Sequence, residues 1–173
     1  SCILRTHYSV REDAELAHAA LRIFARFAGY LDDPEAVSGY NRCGLMIVAP
    51  EGERAEALKA TLAVERTLGI DARDLSVAEA RERHPLVDFG DIAHVGFEPD
   101  AGYADAHLVL SSFARGARRR GVAIREGVNV TGLLRDSGGR VTGVRTSGGD
   151  FGAGTVVSAQ NIWSREVARW AGV

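Results

Sequence analysis

The second half of the chain contains two Ser-Gly-Gly tripeptides ten residues apart, and these turn signals constrain its fold more than any other feature. They are Ser137–Gly139 and Ser147–Gly149, and they separate three short segments rich in apolar and β-branched residues, 128–135, 140–146 and 154–159. Glycines between such segments favour tight hairpin turns. The sequence therefore predicts an antiparallel meander of three strands rather than a repeat architecture.

The rest of the chain mixes helical and extended patterns. Apolar residues at helical spacing predict helices, and short apolar runs that end at proline or a turn predict strands. The predicted helices cover 12–27, 53–68, 77–83, 106–120 and 163–170, and the other predicted strands cover 43–49, 92–98 and 122–125. This order of helices and strands indicates an α/β (α+β) fold.

Several residues mark where these helices begin and end. Ser9 with Glu12 three residues later is typical of a capping box, and Ser76 and Asp105 stand where N-caps are expected. Gly121 follows the helix 106–120 at its expected C-terminal cap. The helical residues expected to face the core are Leu16, Ile23, Phe27, Leu58, Leu62, Leu68, Leu108, Leu110 and Phe113, with Glu65 in the same register.

Composition excludes several classes of protein. The chain has 173 residues, of which 46% are hydrophobic and 25% charged, which is typical of a folded domain. Its net charge of −2 does not favour nucleic acid, and no apolar run reaches the roughly 18 residues that cross a membrane. Cys2 and Cys43 form no disulfide framework, and no secretory signal is visible. We therefore expect free thiols and a cytoplasmic location.

Three polar patterns have a structural explanation that outweighs a functional one. The glycine-rich stretch Gly148–Gly154 resembles a phosphate-binding loop, but such a loop must be followed by a helix. Here Thr155–Val157 follows and indicates a strand, so we expect a hairpin. Arg115 and Arg118–Arg120 cluster at a predicted helix C-terminus, where cations offset the helix dipole, and no interleaved aromatic residues mark a nucleic-acid surface. The five histidines show no metal-ligand spacing, so no metal site is expected.

The run Arg5-Thr6-His7-Tyr8 is a candidate binding segment. Its four polar residues lie outside any predicted helix. A guanidinium such as that of Arg5 can bind a carboxylate through two parallel hydrogen bonds, and His7 can exchange protons near neutral pH. From these residues alone, a solvated loop is the alternative to a site.

Several runs, taken in order and spacing, carry a resemblance to a known family. They include Pro-Asp-Ala-Gly-Tyr-Ala-Asp-Ala-His-Leu at 99–108 and Phe-Ala-Arg-Gly-Ala-Arg-Arg-Arg-Gly-Val at 113–122. The others are Leu4–Ser9, Val128–Leu133, Gly139–Val144, Thr155–Ala159 and Trp163–Ser164. Together they resemble the FAD-dependent amine and amino-acid oxidoreductases, the family of D-amino-acid oxidase, glycine oxidase and sarcosine oxidase.

The resemblance implies that this chain is an internal fragment of a two-domain enzyme. Family members open with a Gly-x-Gly-x-x-Gly turn that holds the dinucleotide, and this sequence shows none. Residues 1–40 would then be a FAD-proximal segment and helix, 41–100 part of the substrate domain, and 101–173 part of the FAD-binding domain. We expect such a fragment to bind FAD weakly by itself and to form homo-oligomers through exposed sheet edges.

The resemblance also assigns roles to particular residues. Val130 matches a strand whose backbone contacts the adenine of FAD. The loop that passes the pyrophosphate and ribitol matches Ala159, Gln160 and Asn161, and the aromatic residue after it matches Trp163. This loop is usually Ala-Ala-Gly in the family, and an asparagine in place of that glycine can still adopt left-handed backbone angles.

The implied reaction is the oxidation of a small amine or amino acid, sarcosine- or dimethylglycine-like, to an imine. FAD would accept the hydride, Arg5 would hold the substrate carboxylate, and His7 is the second catalytic candidate. No nucleic acid, membrane or metal is expected as a partner. The alternative is a binding or assembly module that keeps the fold without the cofactor. The absence of the Gly-x-Gly-x-x-Gly turn favours the non-catalytic module for this polypeptide. The retained run Arg5-Thr6-His7-Tyr8 favours the enzyme for the parent protein.

Overall fold

The computed structural model of the protein describes residues 2–173, and they form two compact units. The first ends at Val122, and the second is Ala123–Val173. The first unit contains β1 (Ile3–Leu4), α1 (Arg11–Ala25), α2 (Phe27–Leu31), β2 (Leu45–Pro50), α3 (Glu53–Thr67), β3 (Arg73–Leu75), α4 (Val77–Arg83), β4 (Ile92–Glu98), β5 (Gly102–Tyr103) and α5 (Ala106–Arg119). The second contains β6 (Val130–Arg135), β7 (Val141–Thr146), β8 (Gly149–Gly152), a 3₁₀ turn (Asn161–Trp163) and α6 (Ser164–Ala171).

A three-stranded antiparallel sheet with the order β2-β4-β3 organises the first unit. Helix α3 packs on this sheet through Leu58 and Leu62, whose methyl groups lie against Gly96 in the central strand. A side chain at position 96 would meet both leucines, since an added Cβ would lie 3.1 Å from each. The absence of a side chain therefore lets the helix lie close to β4.

A second core joins α1, α2 and α5. Phe27 is buried, and its ring packs edge-on against Phe113 of α5 at 5.3 Å between centroids and stacks on Phe24 at 5.7 Å. Edge-on and offset aromatic pairs of this kind add stability beyond their buried area. These contacts hold α5 against the two N-terminal helices.

The arginines at the end of α5 bind the end of α2. Arg115 Nε lies 2.8 Å and Arg119 Nη1 3.3 Å from the carboxylate of Asp33, which is only 3% exposed. Arg119 also donates to the carbonyl of Asp32 at 2.6 Å, and Arg120 donates to that of Leu31 at 3.5 Å. These cations therefore serve a structural purpose, and they stabilise the carbonyl end of α2 as well as that of their own helix.

The second unit is built on the meander that the two glycine turns predict. Strands β6, β7 and β8 pair antiparallel in chain order. Gly143 has to be a glycine, because an added Cβ would lie 2.1 Å from the Phe151 carbonyl oxygen across the hairpin. The glycine-rich stretch forms β8 and its turn, which agrees with the predicted hairpin.

Two of the predicted strands are wrong. Residues 122–125 and 154–159 are extended or irregular, and no strand in the described part of the chain pairs with them. The third strand of the meander is instead Gly149–Gly152, within the stretch that the sequence assigns to the turn. An apolar run becomes a strand only where a partner offers backbone hydrogen bonds, and periodicity does not identify the partner.

The first helix also differs from its prediction. It breaks at Arg26 into α1 and α2, and its N-cap is Val10 without a side-chain hydrogen bond, so the capping box at Ser9 and Glu12 is wrong. Leu16 and Leu110 are predicted to face the core, but they are 71% and 69% exposed. Leu108 and Phe113, predicted likewise, are 38% and 42% exposed. Amphipathic spacing gave the right helices here but not the rotation of each helix about its axis.

The other predicted helix caps are confirmed. Ser76 and Glu79 form a capping box at α4, and the Asp105 carboxylate accepts from the amides of His107 and Leu108 at α5. Gly121 follows the C-cap residue of α5 with a φ of 80°.

Within the described residues, no helix is both long enough and apolar enough to span a membrane. Oligomerisation through sheet edges stays a prediction, as do the domain limits at 40/41 and 100/101.

The buried Asp33 predicts how this unit responds to acid. The hydrogen bond from Arg115 holds the pKa of the Asp33 carboxyl below its ordinary value. A lowered folded-state pKa contributes stability that is present above about pH 4 and is lost as the pH falls through the folded pKa. We expect Asp33→Asn to lower the melting temperature most at pH 7 and progressively less toward pH 3, as measured by circular dichroism.

Asp32→Asn is the matched control, because Asp32 is exposed and only its backbone carbonyl bonds Arg119. Asparagine also tolerates the left-handed backbone of that position, where φ is 50°. An equal loss of melting temperature in both variants at every pH would contradict the assignment.

Candidate functional site

The second unit forms an open, mainly apolar cavity of about 330 Å³. Strands β6 and β7 form one side, the segment 153–160 forms another, and Val167 and Trp170 of α6 form a third. The remaining lining residues are Val130, Leu133, Val144, Ala153, Thr155, Val156, Val157, Ser158, Ala159 and Gln160. A mainly apolar concavity with a few polar groups is typical of a small-molecule site.

Three of the five residues assigned to the cofactor line this one cavity. Val130 begins β6 and pairs with Thr146, while Ala159 and Gln160 approach from the segment after β8. Asn161 comes next in the chain and begins the 3₁₀ turn. The side chain of Trp163 is 68% exposed and does not line the cavity. The structure thus brings together residues that lie about 30 positions apart in sequence.

The segment that passes the cavity has unpaired backbone. Among the described residues, no hydrogen bond joins the amides of residues 155–159 to another group. Residues 155 and 157–159 are exposed, so water can satisfy their amides. The same amides are accessible to a bound molecule.

Asn161 adopts the left-handed conformation that the sequence analysis expects of it, with a φ of 49°. Glycine and asparagine reach this region more readily than other residues do. The replacement of the family's glycine by Asn161 is therefore compatible with the turn that follows the cavity segment.

Arg5 lies in the first unit, in the segment after β1. Its guanidinium stacks over the Tyr8 ring, 5.2 Å from the centroid, which fixes the side chain through a cation–π contact. No carboxylate within residues 2–173 forms an ion pair with Arg5. Arg5 and Tyr8 line a second cavity of about 180 Å³, together with Ile3, Leu4, Ala17, Ala20 and Leu21. The guanidinium is thus exposed and able to bind an anion.

His7 contacts two buried acids that the sequence analysis does not identify as site residues. Its Nδ1 lies 3.0 Å from Glu65 Oε1 and 3.7 Å from Glu98 Oε1. Glu65 and Glu98 are 0% and 1% exposed. The backbone amide of Thr6 donates to Glu98 Oε2 at 2.9 Å. The segment that contains Arg5 is therefore held by charged and polar contacts to α3 and β4.

The three side chains of His7, Glu65 and Glu98 are also close enough to surround a metal ion, since their ligating atoms lie within 4.8 Å of one another. Histidine spacing along the chain cannot reveal such a group, because its members come from three separate elements. The available signal is Glu65, an acid in the register of the buried Leu58 and Leu62. An acid on the apolar face of a helix needs a polar partner.

The environment of Glu98 disfavours its charged form. Burial raises the pKa of the Glu98 carboxyl, and the nearby Glu65 raises it further, although the amide of Thr6 acts in the opposite direction. Two adjacent carboxyl groups in a dry site do not both ionise readily.

The turn at Asn161 gives a direct test of the cavity segment. We expect Asn161→Gly to leave the unfolding free energy unchanged, and Asn161→Ala to lower it by about 1 kcal/mol, because alanine disfavours the left-handed region. Urea denaturation measures both values. Asn129→Ala is the control outside the turn, and equal stability of the glycine and alanine variants at position 161 would contradict the left-handed assignment.

Comparison with known proteins gives a consistent assignment. The sequence model of the FAD dependent oxidoreductase family matches residues 2–172. Human mitochondrial sarcosine dehydrogenase is 29% identical over 140 residues, with 79% of this chain and 15% of that protein covered. Sarcosine oxidase subunit beta of an Arthrobacter species is 31% identical over 175 residues, with 98% and 42% covered.

A solved structure shows the same fold. The L-proline dehydrogenase of P. horikoshii superposes with a TM-score of 0.86 at 21% identity, over 98% of this chain and 44% of that one. The chain thus spans less than half the length of each of these relatives. With nearly every residue matched by the family model, the chain belongs to the FAD dependent oxidoreductase family.

Proposed function

We propose that the protein containing this chain oxidises a small amine or amino acid, sarcosine- or dimethylglycine-like, to an imine with FAD. The observation that supports this most directly is the cavity of the second unit, where Val130, Ala159 and Gln160 come together. These residues were assigned to the cofactor from separate stretches of sequence. Family membership makes FAD the expected occupant.

The cavity supports this assignment. Its volume of about 330 Å³ and its apolar walls suit a flat heteroaromatic ring, and Thr155, Ser158 and Gln160 add polar groups to its lining. The unpaired amides of residues 155–159 supply donors for the polar chain of a dinucleotide. When bound, FAD supplies the acceptor for the hydride that leaves the substrate. The chain's own contribution at this cavity is binding and orientation.

Arg5 is the proposed recognition element for the substrate. Sarcosine and proline, for which the relatives are named, both combine a secondary amine with a carboxylate. A guanidinium that is held over Tyr8 and has no internal acid partner can bind such a carboxylate through two parallel bonds. Fixing the carboxylate limits the positions that the amine carbon can take, which lowers the entropy cost of reaction.

A bulky residue in the cavity tests the cofactor assignment. In the full-length protein, we expect Ala159→Phe to reduce bound FAD at least about tenfold, because the ring fills space that the cofactor needs. Flavin absorbance near 450 nm relative to protein absorbance measures the occupancy. Ile162→Phe is the matched control, since Ile162 is exposed and lies outside the cavity. A wild-type full-length protein without flavin would instead favour the non-catalytic module.

Substitution of Arg5 tests substrate recognition. We expect Arg5→Met in the full-length enzyme to lower kcat/KM for the amino acid by about 30- to 1000-fold, or about 2–4 kcal/mol, because a charge-assisted bidentate contact is lost. The decarboxylated amine should be affected much less, and FAD content should not change.

Arg11→Met is the control, because Arg11 is an exposed arginine that already pairs with Glu15. If the preference for the acid persists in Arg5→Met while FAD content falls, Arg5 binds the cofactor and the substrate assignment is wrong.

A further inference from the structure

The cluster of His7, Glu65 and Glu98 has an unusual charge balance. Glu98 is the last residue of β4. Helix α3 brings Glu65 close to it, because Leu58 and Leu62, which precede Glu65 in the helix, pack against Gly96 of the same strand. The segment after β1 then covers both acids with Thr6 and His7. Two fully buried carboxyl groups therefore meet a single imidazole.

No other charge compensates these acids. Of the titratable groups on the elements packed around Glu98, those that face it are Glu65 of α3 and His7 of the N-terminal segment. In the described chain from residue 2 onward, no lysine or arginine pairs with either acid. One oxygen of each carboxyl, Glu65 Oε2 and Glu98 Oε1, is buried without a hydrogen-bond donor. Leaving two such oxygens unsatisfied is costly, so a positive species must lie near them.

A proton satisfies both oxygens and needs no further ligand. A divalent ion is the alternative, for which the two acids and His7 provide three ligating side chains. His7 is partly exposed and lines a cavity of about 220 Å³, but both carboxyl groups are themselves buried, which favours the proton. Ligating oxygens of the two carboxyl groups lie within 4.8 Å of each other. One shared proton removes the repulsion between the two groups and can join them through a hydrogen bond.

We propose that Glu98 and Glu65 share one proton, with Glu98 as the acid and Glu65 as the carboxylate, and that this pair positions the segment Arg5–Tyr8 through His7. The Nδ1–H of His7 donates to Glu65 Oε1, and the amide of Thr6 donates to Glu98 Oε2. His7 is thus a positioning residue rather than an acid–base catalyst. The consequence for substrate binding rests on the proposed function of Arg5, whereas the shared proton itself does not.

The raised pKa of Glu98 agrees with this arrangement and sets the direction of its pH dependence. A carboxyl whose pKa is higher in the folded state opposes folding as the pH rises from its ordinary value to the raised one. The contribution of Asp33, whose pKa is lowered, is already complete above about pH 4. The Glu98 effect therefore falls at higher pH than the Asp33 effect, and variants of each residue assign the two.

Paired glutamine substitutions separate the roles of the two acids. Glutamine has the shape of a protonated glutamic acid and keeps a donor, so it can replace Glu98 but cannot supply the charge of Glu65. On the 173-residue chain at pH 7, we expect Glu98→Gln to change the melting temperature by less than about 1 °C and Glu65→Gln to lower it by more than about 4 °C. Glu82→Gln on the exposed surface of α4 is the matched control.

Infrared spectroscopy detects the proton without reference to stability. At pH 7 the wild type and Glu82→Gln should show the carbonyl band of a protonated carboxylic acid, and Glu98→Gln should lack it. Absence of this band in the wild type, or an equal loss of stability in Glu98→Gln and Glu65→Gln, would overturn the shared proton. Stoichiometric binding of Zn²⁺ by calorimetry, abolished in Glu98→Gln, would show that an ion neutralises the pair and would overturn it equally.

The positioning role has its own readout in the full-length enzyme. Glu65→Gln should raise KM for the amino acid about tenfold without changing FAD content, because the segment with Arg5 loses its anchor, and Glu82→Gln should not. An unchanged KM together with the infrared band would refute the positioning role alone. The infrared and unfolding measurements use no substrate, so failure of the proposed reaction would leave their outcome intact.

Discussion

The close packing of helix α3 on the central strand β4 is the contact on which the first unit depends. It requires the glycine at position 96, because the methyl groups of Leu58 and Leu62 occupy the space that a side chain would fill. One helical turn further, the same geometry places Glu65 beside Glu98, at the end of the strand. The apolar contact therefore determines where the buried acids meet, and these acids in turn bind the N-terminal segment.

These contacts connect the packing of the first unit to the position of its candidate anion-binding residue, Arg5. Thr6 and His7 are held by the acids, and Arg5, which precedes them, is left exposed over Tyr8. Arginines elsewhere in the unit behave differently: Arg115 and Arg119 are paired with the buried Asp33 and stabilise the junction of α2 and α5. The contrast explains why Arg5, and not the larger arginine cluster, is the candidate for binding an anionic ligand.

In the second unit, part of the backbone has no hydrogen-bond partner among the described residues. Three strands pair with one another, and the apolar segment that follows them passes the open cavity with its amides unpaired. Asn161 then turns the chain toward α6, whose Val167 and Trp170 line the cavity. In the proposed FAD site, the peptide groups would provide the polar contacts and the side chains the apolar ones, so few residue identities would be required.

Local patterns in the sequence were sufficient for features that depend on neighbouring residues. The two Ser-Gly-Gly turns predict the meander, Ser76 and Asp105 predict their helix caps, and Asn161 predicts the left-handed turn, because each depends on backbone angles or on amides within a few positions. The resemblance in residue order identified the family and the FAD assignment. On that basis Val130, Ala159 and Gln160 remain proposed cofactor residues, although nothing in their own chemistry marks them.

Only the tertiary structure decided what depends on distant partners. It left 154–159 unpaired and made Gly149–Gly152 a strand, because strand formation depends on which edges are free to pair. It rotated α1 and α5 so that Leu16 and Leu110 face outward, since spacing defines a face but not its direction. It also joined His7, Glu65 and Glu98, which lie 58 and 33 positions apart in the chain. The sequence determined most of the helices, the turns of the meander and the family. Long-range packing determined which strands pair and which charges meet, because burial and proximity belong to the folded chain as a whole.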